Sequence, residues 1–560
     1  MNTHHLSSTS GKWIPHIQMP HTPPNKEALL TMAKHLNIHP IFLYHLHLHG
    51  YEQFETIERF LVPNWEHCHS PFLLQDMKKA VYRIFKAIQN KENIMIFGDY
   101  DADGITSSTL LYKGLKKLNA NVTVRLPIRS EGYGLSAKVM NELPSNISLI
   151  ITVDNGSSAH EAMQVAKQKG VDVIVTDHHD ILQGYPDCYA FINPKRNDDD
   201  TYPFPFLAGA GVALKVVQAL FETIKQPFLK YCSELIELAT IGTIADLMPL
   251  KDENRIICSY GLKQMNSNPS PALKTLFKLL KIKTVDGNTI GFQIGPLFNA
   301  TGRIADPNIT GEMLRNNETD QSKWTELLCI NNQRKQMTKE QFLIAEETIF
   351  QDQLHKDNVI VVWGDFHPGI IGLISSRISE KYKKPSIVIS NTGTGSARSV
   401  NKTDFSIVKV IQDCGDYLKK YGGHRAAAGL SIPMKEQHLL LFRSAIQKAA
   451  KVQTCLIPPT YYLSKLPIDK FSEQLFHDLY TLEPFGMDNP KPVFLSQNTK
   501  PSFIKMLGED HLLFGISSKC VFGFQKGDLY EQIKKARTMH CLYTTNCYHQ
   551  KNFLIQQISL

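Results

Sequence analysis

None of the ten cysteines lies in a Cys-x-x-Cys pair, which excludes zinc ribbons and thioredoxin-like redox sites as readings. Scattered thiols such as Cys68, Cys188, Cys258 and Cys414 suit a reducing compartment. Long apolar runs are missing as well: nothing reaches the roughly 18 residues of a membrane span, and the opening MNTHHLSSTSGKW carries no signal-peptide core. No membrane association and a cytoplasmic location are therefore expected. Strong charge of one sign is also absent. The balance of 61 Lys+Arg against 53 Asp+Glu gives +8, a tilt toward polyanionic partners that is weak by itself. What is present is an ordinary globular composition, 42% hydrophobic and 20% charged, in 560 residues. That length exceeds one core, so two to four domains are expected.

Residues 1–25, rich in His, Ser, Thr and Pro, read as a loose lead-in. From 26 to about 87 the apolar spacing is helical, as in ALLTMAKHL and MKKAVYRIFKAI. The alternation of His45, His47 and His49 has no acidic company and reads as surface. Between 94 and 250, short β-branched runs (94–97, 122–126, 147–153, 173–175) alternate with helical stretches (107–118, 137–143, 159–169, 211–224, 230–241). That order predicts a parallel sheet covered by helices on both faces. Residues 320–354 are polar with almost no helix breakers and predict a long helix connecting two domains. A second α/β unit starts near 359, with strands at 359–363 and 386–389 around a helix at 371–381. After Pro458-Pro459, short apolar runs separated by turn residues predict a small, locally basic barrel.

Four strings place carboxylates or imidazoles just after apolar runs: GDYDADG (98–104), VDNG (153–156), TDHH (176–179) and IADLMPL (244–250). Ligands bind at the carboxyl ends of strands in parallel α/β sheets. Asp99, Asp101 and Asp103, two residues apart, repel one another unless a cation or a turn network lies among them. Each string has a plain alternative: Asx turns and helix caps for the three aspartates, a turn for Asp154, a cap for Asp246. Adjacent imidazoles after a strand have little packing value. Jointly the four strings predict one site with hard oxygen donors and a few imidazoles, suited to Mg2+ or Mn2+ and to hydrolysis.

These residues resemble the DHH phosphoesterase superfamily, whose name is the motif Asp177-His178-His179. YGGHRAAAGLSI (421–432) is similar to the glycine–histidine motif of the DHH-associated domain. RSEGYGL (129–135), NPKR (193–196), GAGVALKV (209–216), PLFNATGRI (296–304), HPGIIGLISSRI (367–378) and LEPFGMDNPKPVF (482–494) are similar to the RecJ-like exonuclease branch. The resemblance implies an α/β protein: a parallel-sheet DHH domain with N-terminal helices (26–315), a long connecting helix (316–355), a smaller α/β DHH-associated domain (356–452) and a C-terminal OB-fold β-barrel (453–560).

It further implies that Asp101, Asp103, Asp154, His178 and Asp246 hold two divalent cations, Mn2+ or Mg2+, with Asp103 and Asp154 in the catalytic set. The pyrophosphatase branch has a histidine where this chain has Phe97, which leaves Asp99 closer to tuning the metals than to certain ligation. His179 reads as a hydrogen-bond donor or general acid, or alternatively as an orienting group. Recognition of a 5′-phosphate would fall to Arg129, Arg303 (in a loop with Asn299), Ser396 and Arg398, with His424 close to a phosphate. Tyr133 is a stacking candidate; Phe503, Phe514, Phe522 and Phe524 are candidates for stacking or, more readily, core. The implied activity is 5′→3′ degradation of single-stranded DNA to mononucleotides in recombination and repair, by a monomer working with a single-strand-binding protein and a helicase. The rival readings are a phosphodiesterase of nanoRNA or cyclic dinucleotides and an inactive nucleic-acid-binding homologue.

Overall fold

The structure, a computed structural model, describes residues 13–15, 25–181, 183–197, 202–401, 403–453, 459–508, 510–536, 538–546 and 552–559. The first sheet is parallel, in the spatial order Asn121–Arg125, Asn93–Phe97, Ile147–Val153, Asp172–Thr176, Ala190–Ile192. Successive side chains point to opposite faces. Ile94, Ile96, Leu149 and Ile151 therefore pack with helices Ala102–Lys117 and Gly209–Thr223. Met95, Phe97, Ile150 and Val173 pack on the other side with Val139, Met140 and Met163. Burial on both faces explains why these strands read as unbroken apolar runs.

Helix Gln321–Gln351 leaves this domain with Trp324 and Leu327 sunk in its core and enters the next with Ala345 and Ile349 sunk in another. At a rise of about 1.5 Å per residue it spans about 45 Å. Its side chains anchor both ends, so it acts as a strut. The second sheet runs Lys420–Gly423, Ala427–Ser431, Thr394–Arg398, Ser386–Ser390, Ile360–Gly364, with only the last pair parallel. Beyond it a seven-stranded sheet carries Phe494–Thr499, Met539–Asn546, Asn552–Ser559, Lys519–Gly523, His511–Ile516 and Phe503–Leu507 after the short Ser464–Lys465. Phe514 is core there, whereas Phe503 and Phe524 are about half exposed. Among the described residues no helix is long and apolar enough to cross a membrane.

Three expectations need correction. Within the lead-in, Trp13–Pro15 is a strand pairing in parallel with Thr460–Tyr462; the rest, apart from residue 25, lies outside the described residues, as does Pro458. Helices Lys26–Leu36, Pro40–Leu48 and Phe54–Leu61 share a core with the C-terminal sheet: Phe42, Leu46 and Phe60 pack with Phe471, Phe494 and Phe514. His45 is not a surface residue but is 2% exposed, its Nε2 3.1 Å from the Pro490 carbonyl oxygen.

Buried Arg255 joins these units without any carboxylate. Its guanidinium donates to the carbonyl oxygens of Phe60 (2.7 Å), Leu482 (3.1 Å), Thr481 (3.3 Å) and Glu483 (2.9 Å). Arg255→Met leaves four acceptors without this donor, at a cost of about 3 kcal/mol or more. We expect a lowered urea midpoint and early proteolytic release of the C-terminal unit.

Candidate active site

The register Phe97↔Thr152 and Val153↔Thr176 aligns three strand ends on one edge of the parallel sheet. Asp99–Asp103, Asp154 and Asp177–His179 follow those ends directly. Asp101 is the N-cap of helix Ala102–Lys117, accepting from the Gly104 N–H at 3.0 Å, and Asp103 lies in its first turn. The helix thus starts five residues earlier than expected, because carboxylates are favoured caps and first-turn residues. Gly104 is required there: a Cβ would collide with the Asp99 backbone. Asp103 also accepts from the N–H groups of Gly209 (2.7 Å) and Ala210 (2.9 Å) at the start of helix Gly209–Thr223. Gly242 lets helix Leu235–Ala245 press against Asp103, which brings Asp246, just past its end, into the site.

His178 Nε2 is the meeting point, 3.0 Å from Asp154 Oδ1, 3.6 Å from Asp246 Oδ2 and 3.8 Å from Asp103 Oδ2. Three sets of donor atoms come within 4.8 Å of one another: Asp99, Asp101 and Asp154; Asp103, His178 and Asp246; and Asp154, His178 and His179. Asp99 therefore stands among the clustered donors and not behind them. Burial, with repulsion from Asp101, holds Asp99 well above the usual carboxylate range and lifts Asp103 to about 7. Burial and neighbouring carboxylates likewise raise Asp154 and Asp246. Burial pushes His178 down to about 3.

Asp177 behaves differently. Its oxygens accept from the N–H groups of Ser157 (2.9 Å), His178 (2.7 Å) and His179 (3.2 Å), and Oδ1 lies 2.8 Å from His179 Nδ1. Although burial opposes its charge, these contacts hold its pKa below the usual range. His179 loses from burial yet gains more from Asp177 and the neighbouring carboxylates, reaching about 9. The Tyr133 hydroxyl donates to the Asp154 carbonyl at 3.2 Å and lies 3.2 Å from His179 Nδ1.

The cluster fits divalent cations. Every donor is a carboxylate oxygen or an imidazole nitrogen. Asp99 Oδ1 and His178 Nδ1 are buried with no hydrogen-bond partner. Asp99, Asp103 and Asp154 are buried and share donor sets with Asp101 and Asp246, and among the described residues no Lys or Arg forms an ion pair with any of them.

A second cluster has the opposite sign. Arg303, on helix Gly295–Ile304 and not in a loop, donates to the Gly369 carbonyl at 3.2 Å. Burial, then Arg129, Arg334 and Arg398, push it down to about 10. Arg398 reaches Ser396 Oγ at 3.0 Å beside Gly372, in the first turn of helix Ile371–Tyr382. Arg129 donates to the Gly302 carbonyl at 3.0 Å and lies over the Tyr100 ring at 4.3 Å. Guanidiniums beside a helix N-terminus carry the chemistry that suits an anionic group. His424 stands across the cleft, 69% exposed, with Nδ1 3.8 Å from Asp180 Oδ2.

Several residues escaped the sequence reading. Asn155 donates to the carbonyls of Phe97 (3.2 Å) and Val153 (2.9 Å), tying two strand ends together. Asn193 holds the His179 carbonyl at 2.9 Å. Arg334 comes from the long helix, where no motif marked it. Asp177 carried the strongest signal, as the first letter of its motif.

Comparison with known proteins follows this division. Residues 93–243 match the DHH family, N-terminal domain; residues 356–451 match the DHHA1 domain; residues 464–555 match the RecJ OB domain. The single-stranded-DNA-specific exonuclease RecJ of Bacillus subtilis is 34% identical over 531 residues, covering 91% of this chain and 66% of that protein. The RecJ of Salmonella typhimurium is 31% identical, covering 78% of this chain and 80% of that protein. The chain thus spans about two thirds of the Bacillus protein's length and four fifths of the Salmonella protein's. The crystal structure of RecJ from Thermus thermophilus in complex with Mn2+ superposes with a TM-score of 0.83 at 25% identity, covering 99% of this chain and 80% of that one. With the three matched domains in this order around the carboxylate–imidazole cluster, the chain belongs to the RecJ family.

Proposed function

We propose that the chain is a divalent-cation-dependent exonuclease that degrades single-stranded DNA from its 5′ end to 5′-mononucleotides. One observation carries the reading: helix Gly295–Ile304 runs between the carboxylate–imidazole cluster and the arginine cluster. Asn299 accepts from the Ala102 N–H at 2.9 Å, in the turn that bears Asp101 and Asp103, and Arg303 follows four residues later. That arrangement supports a terminal-phosphate site beside a site for phosphodiester hydrolysis.

Asp99, Asp101, Asp103, Asp154, His178 and Asp246 would hold two cations, Mn2+ or Mg2+, which when bound supply a lowered pKa for the attacking water and charge neutralisation at the phosphate. Arg129, Arg303, Arg398 and Ser396 would grip the 5′-phosphate, and Tyr133 would pack on the terminal nucleotide. His179, its Nδ1 2.8 Å from Asp177 Oδ1, would present its other ring nitrogen as a donor to a non-bridging or leaving oxygen. A channel between the two α/β domains too narrow for a duplex would favour a flexible single strand.

We further propose the domain division 26–315, 316–355, 356–452 and 453–560, with the N-terminal helices docked on the last unit. Monomeric action in the cytoplasm, in recombination and repair beside a single-strand-binding protein and a helicase, completes the reading.

A Mn2+ time course on a 50-nucleotide single strand, labelled at either end, tests it. Immediate release of the 5′ label as mononucleotide, with the 3′ label retained in long fragments, is expected. An intact long strand with hydrolysis of di- to tetranucleotides would replace the reading with a small-substrate phosphodiesterase. Within this scheme Asp177→Asn weakens the acceptor that orients His179. We expect kcat to fall about 10- to 100-fold, as for other groups that orient ligands and donors, with KM for the strand little changed.

A further inference from the structure

A cavity of about 1010 Å3 lies at the far end of the first domain from the carboxylates. Two helices fix its place. Helix Ala102–Lys117 has Asp103 in its first turn and Lys116 and Lys117 in its last. Helix Leu235–Ala245 runs the opposite way, with Asp246 just past its end and Glu234 just before its start. At a rise of about 1.5 Å per residue, Lys113 stands about 15 Å along the helix from Asp103. Lys113, Lys116, Lys117, Lys274 and Arg315 line the cavity, against one lining carboxylate, Glu234.

Helix structure accounts for two of these cations. Lys116 and Lys117 sit where positive charge complements the helix dipole, and Lys117 pairs with Glu234 at 2.7 Å. Among the described residues, none of the other four forms an ion pair. Lys113 is half-buried and donates to the neutral Asn317 Oδ1 at 2.7 Å. Burial, against the pull of Glu234 and Glu237, pushes its ammonium down to about 8. Lys274 lies in the first turn of helix Pro271–Leu279, the end where a cation opposes the dipole. Arg315 ends its own helix, Pro307–Arg315, yet its Nη1 is buried with no hydrogen-bond partner.

These placements cost stability unless negative charge joins them. Helix Pro271–Leu279 adds to the demand: no side chain caps it, so its first-turn N–H groups also lack an acceptor from a side chain. A guanidinium fork, ammonium groups and a helix N-terminus together are phosphate-binding chemistry. The cations come from three separate helices, more than one phosphate can meet at once. The volume is that of a small-molecule site. Its wall is made by the ends of helices Ala102–Lys117, Asp252–Ser267, Pro271–Leu279 and Pro307–Arg315, which suits a compact ligand better than a long strand.

We propose that this cavity binds a small molecule carrying a diphosphate group, held by Lys113, Lys274 and Arg315. The site is separate from the carboxylate–imidazole cluster and from the arginines around Arg303.

Calorimetric titration of the full chain in Mg2+ buffer with ADP, with pyrophosphate and with a 5′-hydroxyl DNA duplex tests this. Arg303→Ala is the starting protein, because it lacks the central guanidinium of the other cationic cluster. It should bind ADP or pyrophosphate at a single cavity site, and the tighter of the two tells a nucleotide from a bare diphosphate as the better occupant. Adding Lys113→Ala, Lys274→Glu or Arg315→Ala should weaken that binding about 10-fold or more each. Lys274 is exposed, so Lys274→Glu keeps the test valid if a variant at the half-buried positions fails to fold. Absence of ADP and pyrophosphate binding to Arg303→Ala would overturn the proposal, as would full affinity retained in Lys274→Glu. Duplex binding that Lys274→Glu abolishes, with neither small ligand bound, would also overturn it and assign the cavity to a nucleic-acid backbone.

Discussion

Asp154→Asn lowers nuclease turnover by about a thousandfold or more and raises the melting temperature of the metal-free protein. Asp154 contributes to two of the three clustered donor sets and lies 3.0 Å from His178 Nε2. An amide keeps the shape and an acceptor but loses the charge. Loss of roughly 4 kcal/mol of transition-state charge stabilisation is about three decades in rate. The stability change has the opposite sign, because the carboxylate is buried beside Asp99, Asp101, Asp103 and Asp246, and removing one charge relieves that repulsion. Mn2+ at 100 times its Kd should stabilise wild type by about 2.7 kcal/mol, and a chelator should reverse the gain. For Asp154→Asn both effects shrink. The checks are single-turnover rates and melting curves with Mn2+ or chelator. A variant within tenfold of wild-type turnover, with an unchanged Mn2+ shift, would remove Asp154 from the metal site.

Elements set by local pattern were legible in the sequence. The strands of the parallel sheet are apolar because both faces are buried, and their ends put Asp101, Asp103, Asp154 and His178 together. The breaker-free run predicted the strut, observed as Gln321–Gln351. What escaped depends on contacts between residues hundreds of positions apart. The helices at 26–61 are amphipathic, but periodicity says nothing about which partner buries them, and that partner is the C-terminal unit whose sheet begins at residue 464. His45 looked like surface because its acceptor, the Pro490 carbonyl, is 445 residues away. Arg334 enters the arginine cluster only through the orientation of a long helix. The cap at Asp101 was legible as one of the plain alternatives for the acidic run, an N-terminus signal, and Asp101 is both cap and clustered donor.

Arg303→Ala abolishes the preference for a 5′-phosphate. Arg303 is the best placed of the cationic group to meet a phosphate: it is half-buried, its protein contact is a carbonyl, and Arg129, Arg334 and Arg398 crowd it. No described carboxylate forms an ion pair with Arg129, Arg303, Arg334 or Arg398. Such a group costs stability and is sustained by a ligand that brings negative charge. Removing the central guanidinium therefore leaves the fold unharmed or steadier while costing about 2–3 kcal/mol of phosphate binding, or roughly 30- to 150-fold. Wild type should show a kcat/KM on 5′-phosphorylated strands higher than on 5′-hydroxyl strands by about that factor, and Arg303→Ala should bring the ratio close to one. Arg303→Lys should restore only part of it, since an ammonium supplies charge without the planar fork. A variant that kept the wild-type ratio would place the terminal phosphate elsewhere, away from the arginines that flank helix Gly295–Ile304.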